Sequence, residues 1–86
     1  MDLLSDLTVR KDVPVKLTHN GRTMNWREND SVSVSRLFRH ATECFGEPLL
    51  GLLYRNEWGE KVSLTNNNEL RMLIKFRERL VLFSAN

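Results

Sequence analysis

Hydrophobic positions in the first part of this chain alternate with polar ones and then give way to a turn signal. Every second residue is apolar at the start of the pattern, at Val13, Val15 and Leu17. This is the period of a half-buried strand. Asn20-Gly21 follows, a pair that tolerates positive φ, and residues 22–27 continue as a second strand. The pattern predicts a β-hairpin.

The next apolar residues recur at spacings of three and four, which indicates an amphipathic helix. A polar loop is expected from Glu28 to Val32, followed by a serine cap at about Ser33 and a helix end at Gly46. The residues of the apolar face are Val34, Leu37, Phe38, Ala41, Cys44 and Phe45.

The second half of the chain predicts two strands, a shorter helix and a final strand. Residues 49–54 form an apolar run typical of a buried central strand, and residues 61–64 a short strand. Asparagines 66–68 can cap a helix that runs to about Phe76, and residues 80–83 form the last strand.

The predicted order is therefore ββαββαβ, which is the order of an α+β, ubiquitin-like β-grasp roll with a mixed sheet packed on one main helix. Residues 1–12 show no clear strand pattern and are expected to be an N-terminal arm, whereas residues 13–86 form the domain. A chain of 86 residues has room for one small core.

Composition indicates a cytoplasmic protein. Cys44 is the only cysteine, so no internal disulfide can form, and the N-terminus lacks the basic and long apolar regions of a signal peptide. No apolar run approaches the ~20 residues that cross a bilayer, and no membrane partner is expected. The net charge is only +2, from 13 basic and 11 acidic residues.

The sequence gives little indication of a catalytic or metal-binding site. His19, His40 and Cys44 are too few for a structural zinc site, which needs four ligands. The glycines are isolated, so no phosphate-binding loop is present. Glu57 and Glu60 are expected on an exposed turn without the apolar pocket that acid–base catalysis by a carboxyl pair requires. We expect a non-enzyme without a metal or cofactor.

Nucleic-acid binding is also not expected. A sheet that binds RNA presents aromatic residues among basic ones on its open face. Here Met24 and Trp26 in the second strand, and Phe83 in the last strand, are expected to face the core.

The segment from Tyr54 to Leu70 carries charge without a catalytic group. Its acids are Glu57, Glu60 and Glu69, all in loops or at a helix start, where a side chain can reach a partner. An aromatic residue, an acidic turn with a Gly-acid pair, a strand and an acid-Leu helix start follow one another without a gap. This order resembles the acidic motif of the Phox and Bem (PB-one) domain, a ubiquitin-like interaction module.

Three positions depart from the pattern of strong PB-one members. Asn56, Trp58 and Asn68 stand where those members carry Asp or Glu, so about half of the expected negative charge is missing. Trp58 is either packed against the second helix or Tyr54, or it is an interface anchor, because tryptophan is enriched among binding hot spots.

The resemblance extends to basic residues of the hairpin. Lys16 in VPVKLTHNGR looks like the strand lysine with which family members receive an acidic motif, and Arg22 is similar to their second-strand basic position. We expect these two side chains to project side by side, with Arg27 as a further member of the basic face. The VKLTHNG stretch looks most like the MEK-kinase members.

The resemblance implies a scaffold or adaptor domain of signalling proteins that docks front to back. Its basic face would receive another protein with an acidic PB-one-type motif, and its acidic face, with Trp58, would support weak homo-oligomerisation. The alternative is a generic ubiquitin-like domain that binds a partner through another surface or serves a larger protein structurally.

Overall fold

The computed structural model describes residues 12–86, which form five strands and two helices. In chain order these are β1 Asp12–His19, β2 Arg22–Asn29, α1 Val34–Phe45, β3 Leu52–Arg55, β4 Lys61–Ser63, α2 Asn67–Phe76 and β5 Leu80–Ser84. Of the predicted N-terminal arm, residues 1–11 lie outside the described residues, and Asp12 belongs to β1.

The strands form one mixed sheet in the order β2-β1-β5-β3-β4. β1 runs parallel to β5, and the other neighbouring pairs are antiparallel. The predicted ββαββαβ order and the β-grasp fold are therefore confirmed. Neither helix within residues 12–86 is long and apolar enough to cross a membrane.

A two-residue turn sets the register of the first hairpin. Asn20 and Gly21 have φ values of 51° and 77°, and positive φ at both central residues is what the type I′ hairpin turn requires. The turn pairs His19 with Arg22 and Lys16 with Asn25. Since side chains alternate along a strand, this register decides which residues of β2 face the helices.

Both helices begin, and α1 also ends, where their capping residues indicate. The Ser33 side chain accepts a hydrogen bond from the Arg36 backbone N–H at 3.1 Å, and Gly46, with φ of 70°, follows the last turn of α1. The Asn66 side chain caps α2 by accepting from the Glu69 N–H at 2.8 Å. These cap predictions are confirmed.

One face of the sheet packs against the helices to form the core. β1, β5 and the two helices contribute most of its fully buried large side chains. They include Val15, Leu17, Leu37, Leu70, Leu80 and Leu82. Arg71 links α2 to the segment between β2 and α1, because its guanidinium donates hydrogen bonds to the carbonyl oxygens of Asp30 and Val32.

Two predicted boundaries are wrong. The apolar run from residue 49 is not all strand, since β3 begins at Leu52; Leu49 is buried in the core, but Leu50 is 80% exposed. The loop expected at Glu28 is also incorrect, because Glu28 belongs to β2 and is only 5% exposed.

One near and one more distant hydrogen-bonding partner explain the burial of the Glu28 carboxylate. Its Oε2 accepts a hydrogen bond from the Trp26 indole N–H at 2.7 Å, and the His40 Nδ1 on α1 lies 2.7 Å from the same oxygen. A buried carboxylate is stable only with such partners. The sequence of the loop alone could not reveal a contact with a helix that follows it.

Candidate protein-interaction faces

Lys16 and Arg27 share the face of the sheet that points away from the helices. Lys16 lies opposite Asn25, and Arg27 is two residues further along β2 on the same side, which makes it a diagonal neighbour of Lys16. Both side chains are exposed. We call Lys16 and Arg27 the basic face.

Arg22 does not belong to this face, and the expectation that it projects beside Lys16 is wrong. Its cross-strand partner is His19, which is 1% exposed and points toward the helices. The Arg22 guanidinium lies 5.7 Å from the ring centroid of Phe45 at the end of α1. Because side chains alternate between the two sides of β2, Arg27 and not Arg22 lies on the same side of the sheet as Lys16.

The outward side of the sheet carries two more cations and one aromatic ring. The Lys61 Nζ and the Arg55 guanidinium lie 4.3 Å and 5.2 Å from the ring centroid of Phe83. Phe83 was expected to face the core, and this is incorrect: it pairs with Leu53 on the outward side, whereas Leu82 is buried. Trp26 faces inward and packs against the core as expected.

The β3–β4 turn presents Glu57 and Glu60 to solvent. Asn56 holds the turn in shape, because its side-chain oxygen accepts from the backbone N–H groups of Trp58 at 2.9 Å and Glu60 at 3.0 Å. Gly59 adopts φ of 81°, in the left-handed region that glycine enters without strain. Asn56 therefore organises the acidic turn.

Glu69 takes part in the fold as well as carrying charge. Its Oε2 accepts a hydrogen bond from the Tyr54 hydroxyl at 2.9 Å, and its Oε1 is buried without a hydrogen-bond partner among residues 12–86. This hydrogen bond, together with burial and the negative charge of Glu69, raises the pKa of Tyr54 above its ordinary value, although Arg77 opposes the shift. Glu69 is consequently less available to a partner than Glu57 or Glu60.

Trp58 stands at the tip of the turn with 77% of its surface exposed, so it is not packed away. It borders a cleft of about 550 Å³ between the turn and α2, whose wall also includes Tyr54, Met72 and Phe76. Met72 and Phe76 are 56% and 68% exposed, and sequence reasoning missed both. Both positions lie outside the stripe of α2 that buries Leu70 and Leu73. This helical spacing was the signal in the sequence that could have identified the two side chains as exposed.

The two histidines hold loops and strands in place. The His19 Nδ1 lies 2.8 Å from Ser84 Oγ, and its Nε2 lies 2.9 Å from a carboxylate oxygen of Glu47. His40 contacts Glu28, as described above. Across residues 12–86, no group of three or more histidine, cysteine or acidic side chains could hold a metal ion.

Cys44 lies half-buried on α1. Burial raises the pKa of its thiol, and the negative charges of Glu28 and Glu43 add to the effect. A thiol with a raised pKa carries less of the reactive thiolate at neutral pH.

The basic face and the acidic turn lie toward opposite edges of the sheet. Lys16 and Arg27 belong to β1 and β2, whereas Glu57 and Glu60 connect β3 to β4, the other edge strand. Among the outward positions of the described strands, Asp12 at the start of β1 is the single acid. The basic face thus lies apart from the acidic turn, although the outward cations Arg55 and Lys61 flank that turn directly.

Comparison with known proteins finds similarity at the level of structure. No protein-family model and no curated protein sequence matches the chain. The solved AtNBR1 PB1 domain superposes with a TM-score of 0.71 at 17% identity, covering 86% of this chain and 96% of that one. An AtNBR1 PB1 filament gives a TM-score of 0.70 at 20% identity, with the same coverage.

A ubiquitin-like domain is also similar. The C-terminal ubiquitin-like domain of mouse tubulin-specific chaperone e gives a TM-score of 0.65 at 14% identity, covering 90% of this chain and 88% of that domain. The chain therefore has the ubiquitin-like β-grasp fold that these PB1 and ubiquitin-like domains share.

Proposed function

We propose that this chain is a PB-one-type protein-interaction domain, in which the basic face receives an acidic motif of another protein. The observation that carries the proposal is the state of Lys16 and Arg27. Both side chains are exposed on one side of two paired strands, and neither side chain has an ion-pair or hydrogen-bond partner within residues 12–86. A partner can therefore approach these cations without displacing a side-chain contact of the described domain.

Electrostatics supports a role in specificity and encounter as much as in affinity. One exposed ion pair contributes only about 0–1 kcal/mol, so several pairs must act together. Complementary patches speed association and reject partners of like charge. The outward cations Arg55 and Lys61 extend the positive field along the same side of the sheet.

The acidic turn supports a second, weaker contact in the same domain. Glu57 and Glu60 lie near the edge opposite to the basic face, so a second copy could dock its basic face there, head to tail. Such an interface joins unlike patches and leaves one patch of each sign free at the ends. The similarity to a PB1 domain that forms filaments agrees with this arrangement.

Paired baits test the proposal. Wild type, Lys16→Ala and Arg39→Ala would be used to capture proteins from a lysate, since Arg39 is an exposed arginine on α1, away from the basic face. We expect Lys16→Ala to lose the captured partner, and Arg39→Ala to keep it. Equal capture by Lys16→Ala, at an unchanged melting temperature, would contradict the docking mechanism.

A generic ubiquitin-like domain that binds through another surface is the second candidate, favoured by the similarity to the chaperone domain. Ionic strength separates the two candidates, because contacts between exposed charges are screened beyond ~10 Å at 0.1 M salt. Affinity that declines steeply with salt supports charge docking. Affinity that does not change with salt supports the second candidate.

A further inference from the structure

The cleft between the β3–β4 turn and α2 gathers exposed apolar side chains. Residues 12–86 include five large apolar side chains that are prominently exposed, and Trp58, Met72 and Phe76 all border this one cleft. Scattered exposed apolar residues are ordinary on a protein surface, but a contiguous group around a concave site indicates a binding surface.

The α2 side of the cleft has a regular origin in the helix. Glu69, Met72 and Phe76 are spaced i, i+3 and i+7, which places them on one stripe of the helix surface. Trp58 borders the cleft from the turn. The stripe therefore presents one acidic residue at its N-terminal end and two apolar residues after it.

Charge around the cleft is unequal at its two ends. Glu57 and Glu69 belong to the end near the turn and the start of α2. Arg77 follows the last turn of α2, and the Lys75 Nζ lies 5.5 Å from the ring centroid of Phe76 near the same end of the helix. A cation of a partner is attracted at the first end and repelled at the second.

We propose that this cleft binds a protein segment in which one or two large apolar side chains are preceded or followed, on one side only, by Lys or Arg. The apolar side chains contact Trp58, Met72 and Phe76, and the basic residue lies toward Glu57. Glu69 adds attraction through its charge, although its Oε1 is buried and its Oε2 accepts a hydrogen bond from Tyr54. The inference deepens the proposed function, because it gives the acidic face a second, apolar component. The apolar contact area compensates for the electrostatic attraction that is missing because Asn56, Trp58 and Asn68 stand in place of acidic residues of the motif.

An apolar contact makes the affinity at this face less sensitive to salt concentration. Screening weakens attraction between exposed charges, but it leaves the burial of apolar surface intact. Binding in the cleft is therefore expected to keep most of its affinity at a salt concentration that releases partners from the basic face. Aromatic anchors in concave sites also carry a large share of interface energy.

Nuclear magnetic resonance of the full chain tests this inference with synthetic peptides as probes. The first peptide carries Leu and Phe with Lys and Arg on one side; the second replaces the basic residues by Glu; the third replaces Leu and Phe by Ser. We expect the first peptide to shift the Met72 methyl and Trp58 indole N–H signals, and to bind at least about tenfold more tightly than either of the others.

Variants define the site. Met72→Ser and Phe76→Ser each change an exposed side chain, and Leu50→Ser is the matched control, because Leu50 is 80% exposed and borders a different surface. The first peptide should bind Phe76→Ser about tenfold more weakly, and Leu50→Ser as tightly as wild type. Equal affinity for all three peptides, or for Phe76→Ser and wild type, would overturn the proposal.

Other occupants give different results. Lys16→Ala/Arg27→Ala lacks the basic face that a second copy would dock on the acidic turn. Shifts of its Met72 methyl signal with protein concentration alone would assign the cleft to a second copy, and shifts of that signal on addition of a peptide of residues 1–11 would assign the cleft to the chain itself; either result overturns the proposal. Lys16→Ala separates this inference from the proposed function. It should bind the first peptide normally even if it no longer captures an acidic partner.

Discussion

The basic face of this domain lies on two paired strands, whereas the acidic face, formed by Glu57, Glu60 and Glu69, lies in a turn and at the start of α2. The side chains of Lys16 and Arg27 project from paired strands and have no ion-pair or hydrogen-bond partner within residues 12–86. At the other edge, Glu69 accepts a hydrogen bond from Tyr54, and Asn56 holds the turn that carries the remaining acids. Within the described domain, therefore, the two cations take no part in side-chain contacts of the fold, whereas part of the acidic face also stabilises the fold.

Reversing the basic face should give the largest effect. In Lys16→Glu/Arg27→Glu, attraction to an acidic partner becomes repulsion, and we expect affinity for the captured partner to decline by about tenfold or more. Titration calorimetry would measure the loss, with Arg36→Glu/Arg39→Glu, at two exposed arginines of α1, as the control for the same change in net charge. An equal loss in Arg36→Glu/Arg39→Glu would mean that total charge, and not this face, controls binding.

Removing the Tyr54 hydroxyl should affect stability and spare the basic face. Tyr54→Phe loses the hydrogen bond to Glu69, and we expect the free energy of unfolding to decline by about 1 kcal/mol. Denaturant unfolding measures this change. Binding of an acidic partner should remain as in wild type, and a loss of that binding would show that the two faces are coupled.

The raised pKa of Tyr54 gives the same contact a pH dependence. Because the folded state holds the phenol proton more tightly, the stabilisation is complete below the unfolded pKa of about 10 and is lost as pH rises through the higher folded pKa. Unfolding measured between neutral and strongly alkaline pH should show this loss in wild type. The difference between wild type and Tyr54→Phe should narrow over the same range.

Self-association should show a smaller effect, which complementary variants can isolate. Lys16→Ala/Arg27→Ala keeps only the acidic face, and Glu57→Ala/Glu60→Ala keeps only the basic face. Each variant alone should sediment as a monomer, whereas an equimolar mixture should form a species no larger than a dimer. Association of either variant by itself would contradict the head-to-tail arrangement.

The smallest effect is expected at Arg22. Arg22→Ala should change affinity for an acidic partner by less than about twofold, because this side chain lies on the helix side of the sheet. Lys16→Ala measured in parallel is the positive control. A loss with Arg22→Ala as large as that with Lys16→Ala would restore the arginine to the binding site.

Local signals in the sequence were sufficient for the elements and their order. Ser33, Gly46 and Asn66 are capping residues with short-range partners, so their roles could be predicted. The face of Arg22 could also have been predicted, because a two-residue turn at Asn20-Gly21 places Arg22 opposite His19, and His19 has the parity of the buried positions of β1.

Other features depend on contacts between distant parts of the chain. The register that places Arg22 opposite His19 also places Glu28 opposite Val13, but the contact of Glu28 with His40 of α1 depends on how the helix packs against the hairpin. The cleft likewise needs the turn and α2 to be adjacent before Trp58 and Phe76 can border one site. Such arrangements follow from tertiary packing, which periodicity along one element does not encode.

The hairpin turn at Asn20-Gly21 has a consequence for how this surface could change. A shift in the pairing of β2 by a single residue would exchange its two sides. Met24 and Trp26 would then point to solvent, and Arg27 would point toward hydrophobic neighbours. The turn that fixes this pairing thus also determines which charges a partner meets, although it carries none of the charges of the basic face itself.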